Sequence, residues 1–80
     1  MMMTREQLKG RALDVLNYIR TYQRDNDGAT PSHETIAKGV GIHSSQPGGI
    51  LNALEAKGYI EREAQVNRNI PRAITIVEVV

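Results

Sequence analysis

The 80-residue sequence contains no cysteine, no phenylalanine and no tryptophan, and its only aromatic residues are three tyrosines. Without cysteine the chain has no disulfide bonds and no thiolate metal ligands, so its core must consist of Leu, Ile, Val, Ala and Tyr side chains. A cysteine-free chain of this size is typical of a reducing compartment, and we expect one intracellular, cytoplasmic domain spanning residues 1–80.

Long hydrophobic runs are also missing. The longest apolar stretch, Ile74–Val80, is far shorter than a membrane span, and no apolar signal-peptide segment follows Met1. We therefore expect a soluble, unexported protein with no membrane partner.

Charge is nearly balanced, with ten basic and nine acidic residues and a net charge of +1. This total is too small to indicate a nucleic-acid partner, because phosphate binding depends on local positive potential. The distribution is more informative, since Arg68 and Arg72 have no acidic neighbour within several positions. These two arginines are the candidate source of a basic patch.

Helical periodicity dominates the first part of the chain. Thr4 and Gln7 form a capping-box pattern, and a helix containing Gly10 is predicted to follow it and to end at the turn Asp25–Gly28. Its apolar positions have helical spacing: Leu8, Ala12, Val15, Leu16, Ile19 and Tyr22. Tyr18, Tyr22 and Tyr59 are expected to pack in or around the core rather than to stack on bases.

Two shorter helices are predicted next. Pro31 and Ser32 indicate the start of the second helix and Gly41 its end. His43–Ser45 offers a cap for a third helix that stops at Lys57 and Gly58.

From Tyr59 the pattern changes to strands. Tyr59–Glu63 and Arg72–Val80 are rich in residues that favour strands, and a polar segment around Asn67–Asn69 separates them. The sequence therefore predicts an α+β fold of three helices followed by a β-hairpin.

The stretch from Ser32 to Gly58 has the features of two helices joined by a tight turn. Ala37 would let the helices approach closely, and Gly41 would permit the turn between them. Such a pair can place its second helix in the major groove of DNA, which is wide enough to accept a helix.

Three segments, Pro31–Ala37, Gly41–Ile42 and Leu51–Glu61, resemble the DNA-binding domain of the LexA family of SOS repressors and its winged-helix relatives. The resemblance extends over nearly the whole chain and implies a winged helix-turn-helix fold, with the third helix in the major groove and the hairpin wing on the adjacent backbone or minor groove. It implies reading roles for Ser45, Gln46 and Asn52, and a phosphate or minor-groove contact for Arg68. The candidate DNA-binding residues are Ser32, His33, His43, Ser44, Ser45, Gln46, Gly48, Gly49, Asn52, Asn67, Arg68 and Arg72.

The sequence departs from that family at the start of the third helix. Pro47 replaces a buried aliphatic residue, Gly48 and Gly49 stand where longer side chains reach bases, and no Arg or Lys occurs from His43 to Leu54. Base reading is therefore expected to be sparse. The glycines could let the backbone approach DNA closely, or they could accommodate a protein partner.

LexA also carries a self-cleaving domain after its DNA-binding part; because this sequence ends at Val80, we expect different regulation.

Other functions have weaker support in the sequence. His33 and His43 lack further ligands for a metal site, and Ser44 and Ser45 suit helix capping better than nucleophilic catalysis, so we expect no metal, no cofactor and no enzymatic activity. The main hypothesis is a repressor-like regulator that binds double-stranded DNA, with a homodimer formed by edge pairing of the strand Ile74–Val80. The alternative is a winged-helix protein-interaction module, such as an inhibitor or an adaptor in a nucleoprotein assembly.

Overall fold

The computed structural model describes residues 10–63 and 73–77. Three helices are followed by one antiparallel pair of strands, which confirms the predicted order and fold class. The elements are α1 (Gly10–Asp25), α2 (His33–Val40), α3 (Gln46–Ala56), β1 (Ile60–Arg62) and β2 (Ile74–Ile76). Among the described residues, none of the helices has the length and apolar character needed to cross a membrane.

The core lies where the three helices meet the base of the hairpin. Each helix contributes side chains at the predicted helical spacing, and each strand contributes one isoleucine. The buried members of this cluster are Val15, Leu16, Ile19, Ile36, Leu51, Leu54, Ile60 and Ile74. Tyr18 and Tyr59 pack against the cluster, as predicted, and the Tyr18 ring lies 6.1 Å from that of Tyr22, centroid to centroid.

One prediction about α1 is wrong. Gly10 was expected inside the helix, but it is the first residue of α1 and has a φ of +65°, which a right-handed helix interior does not adopt. The predicted capping box of Thr4 and Gln7 lies outside the described residues.

The base of the hairpin is attached by side chains to α1 and to the connection between α1 and α2. Ile60 pairs with Ile76, and Arg62 pairs with Ile74. On the outer edge of β2, the backbone N–H of Ile74 donates to Thr30 Oγ1 at 3.1 Å, and its carbonyl accepts from Gln23 Nε2 at 2.8 Å. At Ile74, the edge of β2 that faces away from β1 therefore has its backbone hydrogen bonds satisfied within the chain.

Candidate nucleic-acid interface

The start of α2 is set by Ser32. Its Oγ accepts a hydrogen bond from the backbone N–H of Thr35 at 3.1 Å and donates to Thr35 Oγ1 at 2.9 Å. This is the predicted N-cap, and Glu34 in the first turn suits the positive end of the helix dipole. Ser32 is therefore committed to the fold, while the side chain of His33 is exposed beside it.

The turn between α2 and α3 depends on Gly41, whose φ of +83° lies in the left-handed region. The N–H groups of Gly41 and Ile42 both donate to the carbonyl of Ala37, at 2.8 and 3.0 Å. Ala37 is only 3% exposed, so it packs where α2 meets the rest of the core. The predicted role of Gly41 is confirmed, and Ala37 is buried as a small residue at this position.

The start of α3 differs from the prediction. Ser45 occupies the N-cap position but makes no side-chain capping bond; its Oγ lies 2.8 Å from His43 Nδ1 instead. The backbone N–H of His43 donates to Gln46 Oε1 at 3.0 Å, and Gln46 N–H donates to the His43 carbonyl at 3.0 Å. His43 and Gln46 are thus joined by reciprocal bonds three residues apart, as in a capping box, and these bonds fix the chain where it enters α3.

Pro47 fills the position of the missing aliphatic residue. Its side chain is less than 2% exposed, and it stands in the first turn of α3, where the absent N–H costs nothing. With Leu51 and Leu54 it forms the buried stripe of the helix. Pro47 therefore takes the buried position on α3 at which an aliphatic residue was expected.

The outward face of α3 carries mostly small, uncharged residues. Its exposed helical residues are Gln46, Gly49, Asn52, Ala53 and Ala56. A Cβ added to Gly49 would meet nothing within 4 Å, whereas one added to Gly48 would lie 3.7 Å from Cε1 of His33. The first turns of α2 and α3 are therefore neighbours, and their candidate residues share one surface.

Arg62 was not among the predicted site residues, but it donates a hydrogen bond to one of them, Asn52. Its Nη2 donates to Asn52 Oδ1 at 2.5 Å and to Glu55 Oε1 at 2.8 Å, and its Nε donates to the same carboxylate oxygen at 3.1 Å. The Arg62 side chain is 6% exposed. The only sequence signal for this contact is the strand alternation that puts Arg62 on the same face as the buried Ile60.

Positive charge lies at the margins of α3. The only charged residue within the helix is Glu55, which is paired with Arg62. Arg11 Nη1 lies 3.4 Å from Gln46 Oε1 at one end of α3, and Lys57 follows the other end. The described part of the interface is thus weakly basic at its ends and neutral along its length.

The structure brings most of the predicted site residues together. Ser32 and His33 lie at the start of α2, next to a group that immediately precedes α3 or lies within it: His43, Ser44, Ser45, Gln46, Gly48, Gly49 and Asn52. The predicted wing residues Asn67, Arg68 and Arg72 lie outside the described residues.

Two helices joined through Gly41 and followed by an antiparallel hairpin define a winged helix-turn-helix domain. Comparison with known proteins identifies the family: the LexA DNA binding domain matches residues 5–69. The chain therefore belongs to the family of LexA DNA-binding domains.

Individual relatives agree with this assignment. The LexA repressor of Alkaliphilus oremlandii (strain OhILAs) is 40% identical over 73 residues, which cover 90% of this chain and 33% of the relative. The LexA repressors of Moorella thermoacetica (strain ATCC 39073 / JCM 9320) and Roseiflexus sp. (strain RS-1) are 46% and 36% identical over 70% and 86% of this chain. The chain spans 27% to 33% of the length of these curated relatives.

Proposed function

We propose that this chain binds double-stranded DNA as a repressor-like transcriptional regulator, with α3 in the major groove. Membership of the LexA DNA-binding domain family carries the proposal. The outward face of α3 also suits it: an α-helix is about 10–12 Å across, close to the width of the major groove. The small residues on that face allow a close approach, and Gln46 and Asn52 supply polar contacts.

The wing completes the proposed contact. Asn67, Arg68 and Arg72 follow β1 in the sequence and precede β2, so the segment that carries them starts and ends at the hairpin base. Arginines in this segment would bind phosphate or the minor groove beside α3. The role is binding alone, with no catalytic step.

A fluorescence-anisotropy titration against a random duplex pool at several salt concentrations tests this function. We expect binding that weakens as salt rises, with a logarithmic slope of about −0.9 for each phosphate contacted. Sequencing of the recovered duplexes should show one enriched motif. An absence of binding even at low salt would contradict the proposal.

Protein recognition is the second candidate function, and the neutral, small-residue face of α3 favours it. A helix partner could pack closely against Gly49, Ala53 and Ala56. The same titration separates the two functions, because a domain that recognises only protein has no DNA affinity to lose as salt rises.

We also propose that tight operator binding uses two copies of the domain, since one small module with few charges has modest affinity. The hydrogen bonds from Thr30 and Gln23 occupy β2 at Ile74. Edge pairing of two copies would therefore use the chain beyond Ile74. Sedimentation equilibrium with and without DNA measures whether such a dimer forms.

A further inference from the structure

The amide side chains on α3 are held in one orientation by the protein itself. An amide offers an acceptor oxygen at one end and two donor hydrogens at the other, and its partners decide which end points outward. Asn52 Oδ1 faces Arg62 Nη2 at 2.5 Å. A guanidinium has only donors, so the oxygen of Asn52 must face Arg62 and its NH2 group points elsewhere.

Gln46 has the same arrangement. Its Oε1 accepts from the backbone N–H of His43 at 3.0 Å and lies 3.4 Å from Arg11 Nη1. Both partners can only donate. Within residues 10–63 and 73–77, neither the NH2 group of Gln46 nor that of Asn52 has a hydrogen-bond partner.

The orientation of Asn52 is enforced because Arg62 is itself held. Two bonds to Glu55 fix the guanidinium, and the Arg62 side chain is 6% exposed. Turning the amide of Asn52 over would set its NH2 against these N–H donors and leave a nearly buried donor without its acceptor. The cost favours one orientation before DNA arrives.

This inference rests on the proposed function. We propose that α3 presents hydrogen-bond donors to the DNA bases, and that Arg62 is the positioning residue that keeps the NH2 group of Asn52 pointing outward. The NH2 groups of Asn52 and Gln46 then require acceptors on the base edges: guanine offers two of them, N7 and O6, whereas thymine O4 and adenine N7 are single acceptors. The common asparagine–adenine pair is disfavoured, because it needs the amide oxygen to accept from the adenine N6 amino group. The other exposed residues within α3, Gly49, Ala53 and Ala56, add no acceptor side chain.

Motif selection with variants tests the proposal. Asn52→Ala locates the base pair that Asn52 reads: it is the position in the selected motif at which the variant no longer prefers one base. In the parent protein we expect guanine or thymine at that position, and adenine less often, because the N6 amino group beside its N7 acceptor repels an NH2 donor. Arg62→Lys keeps a cation beside Glu55 but loses the guanidinium fork, so the amide can turn, and the preference for guanine over adenine should fall about tenfold. Arg24→Lys is the matched control on the exposed surface of α1 and should leave the motif unchanged.

If Arg62→Lys folds poorly, a second variant tests the same inference. Asn52→Asp retains an oxygen for Arg62 and replaces the outward NH2 with a second acceptor. We expect it to lose guanine or thymine at the mapped position and to accept cytosine, whose N4 amino group donates. In the parent protein, 7-deazaguanine at a guanine read by Asn52 should weaken binding, because it lacks the N7 acceptor.

Several results would overturn the inference alone while DNA binding stands. One is cytosine at the mapped position in the parent protein, or adenine preferred there over guanine. Another is the absence of any position affected by Asn52→Ala. The third is an unchanged base preference in Arg62→Lys together with a lower melting temperature, which would make Arg62 purely structural. If no duplex binds, the inference fails together with the proposed function.

Discussion

Replacing Gly49 with alanine should stabilise the domain, and the expected size follows from the geometry of α3. Gly49 lies in the helix with no positive φ, and an added Cβ would meet nothing within 4 Å. The substitution therefore recovers the helix propensity lost to glycine, about 0.5–1 kcal/mol, without a clash. For a domain of this size we expect a rise in melting temperature of roughly 2–8 °C.

Gly41→Ala is the matched control for this substitution. Its added Cβ also meets nothing within 4 Å, but its φ is +83°, where a side chain costs about 1–2 kcal/mol. The two variants add the same methyl group and should shift the melting temperature in opposite directions. Thermal unfolding followed by circular dichroism at 222 nm, close to the helical minimum, measures both. An unchanged or lower melting temperature for Gly49→Ala would refute the reasoning.

Gly49→Ala also separates two explanations of the glycine. If the backbone of α3 packs directly on DNA at Gly49, the methyl group should weaken binding while it raises stability. If affinity is unchanged, the glycine is tolerated there without a role in docking. Anisotropy titrations of the parent protein and Gly49→Ala on the same selected duplex distinguish these outcomes.

Three further substitutions test the cap, the packing and the wing. Ser32→Ala removes the cap of α2 and should lower the free energy of unfolding by about 1 kcal/mol in urea titrations. Gly39→Ala should lower the melting temperature, because the added Cβ would overlap the Tyr18 ring. Arg68→Ala, in the predicted wing, should weaken DNA binding and reduce the salt slope by about one unit, whereas Arg24→Ala should change neither.

Local signals made much of the fold predictable. Ser32 and Gly41 bound α2 as expected, because capping and left-handed turns depend on residues a few positions apart. The same kind of local signal gave a wrong prediction at Ser45, whose hydroxyl was expected to cap α3. There the hydroxyl lies against His43 instead of capping α3, and the side chain of Gln46 accepts from the backbone N–H of His43. Choosing between several polar residues at a helix start requires their actual geometry.

The orientation of the candidate site was not predictable in the same way. Asn52 and Arg62 lie ten residues apart on different elements, and their contact forms only when β1 packs beside α3. Sequence reasoning could name Asn52 as a reader of DNA, but not which end of its amide faces outward. That property depends on tertiary structure.

The attachment of Ile74 to Thr30 and Gln23 also makes one amide proton a reporter for the base of the hairpin. Strands of three residues have little stability by themselves, so β1 and β2 depend on the helices for their place. The Ile74 N–H exchanges with solvent only after its bond to Thr30 opens, through rotation of the Thr30 side chain or through separation of β2 from the α1–α2 connection. Its hydrogen-exchange rate, measured with and without a bound ligand, therefore reads out how tightly the wing is anchored.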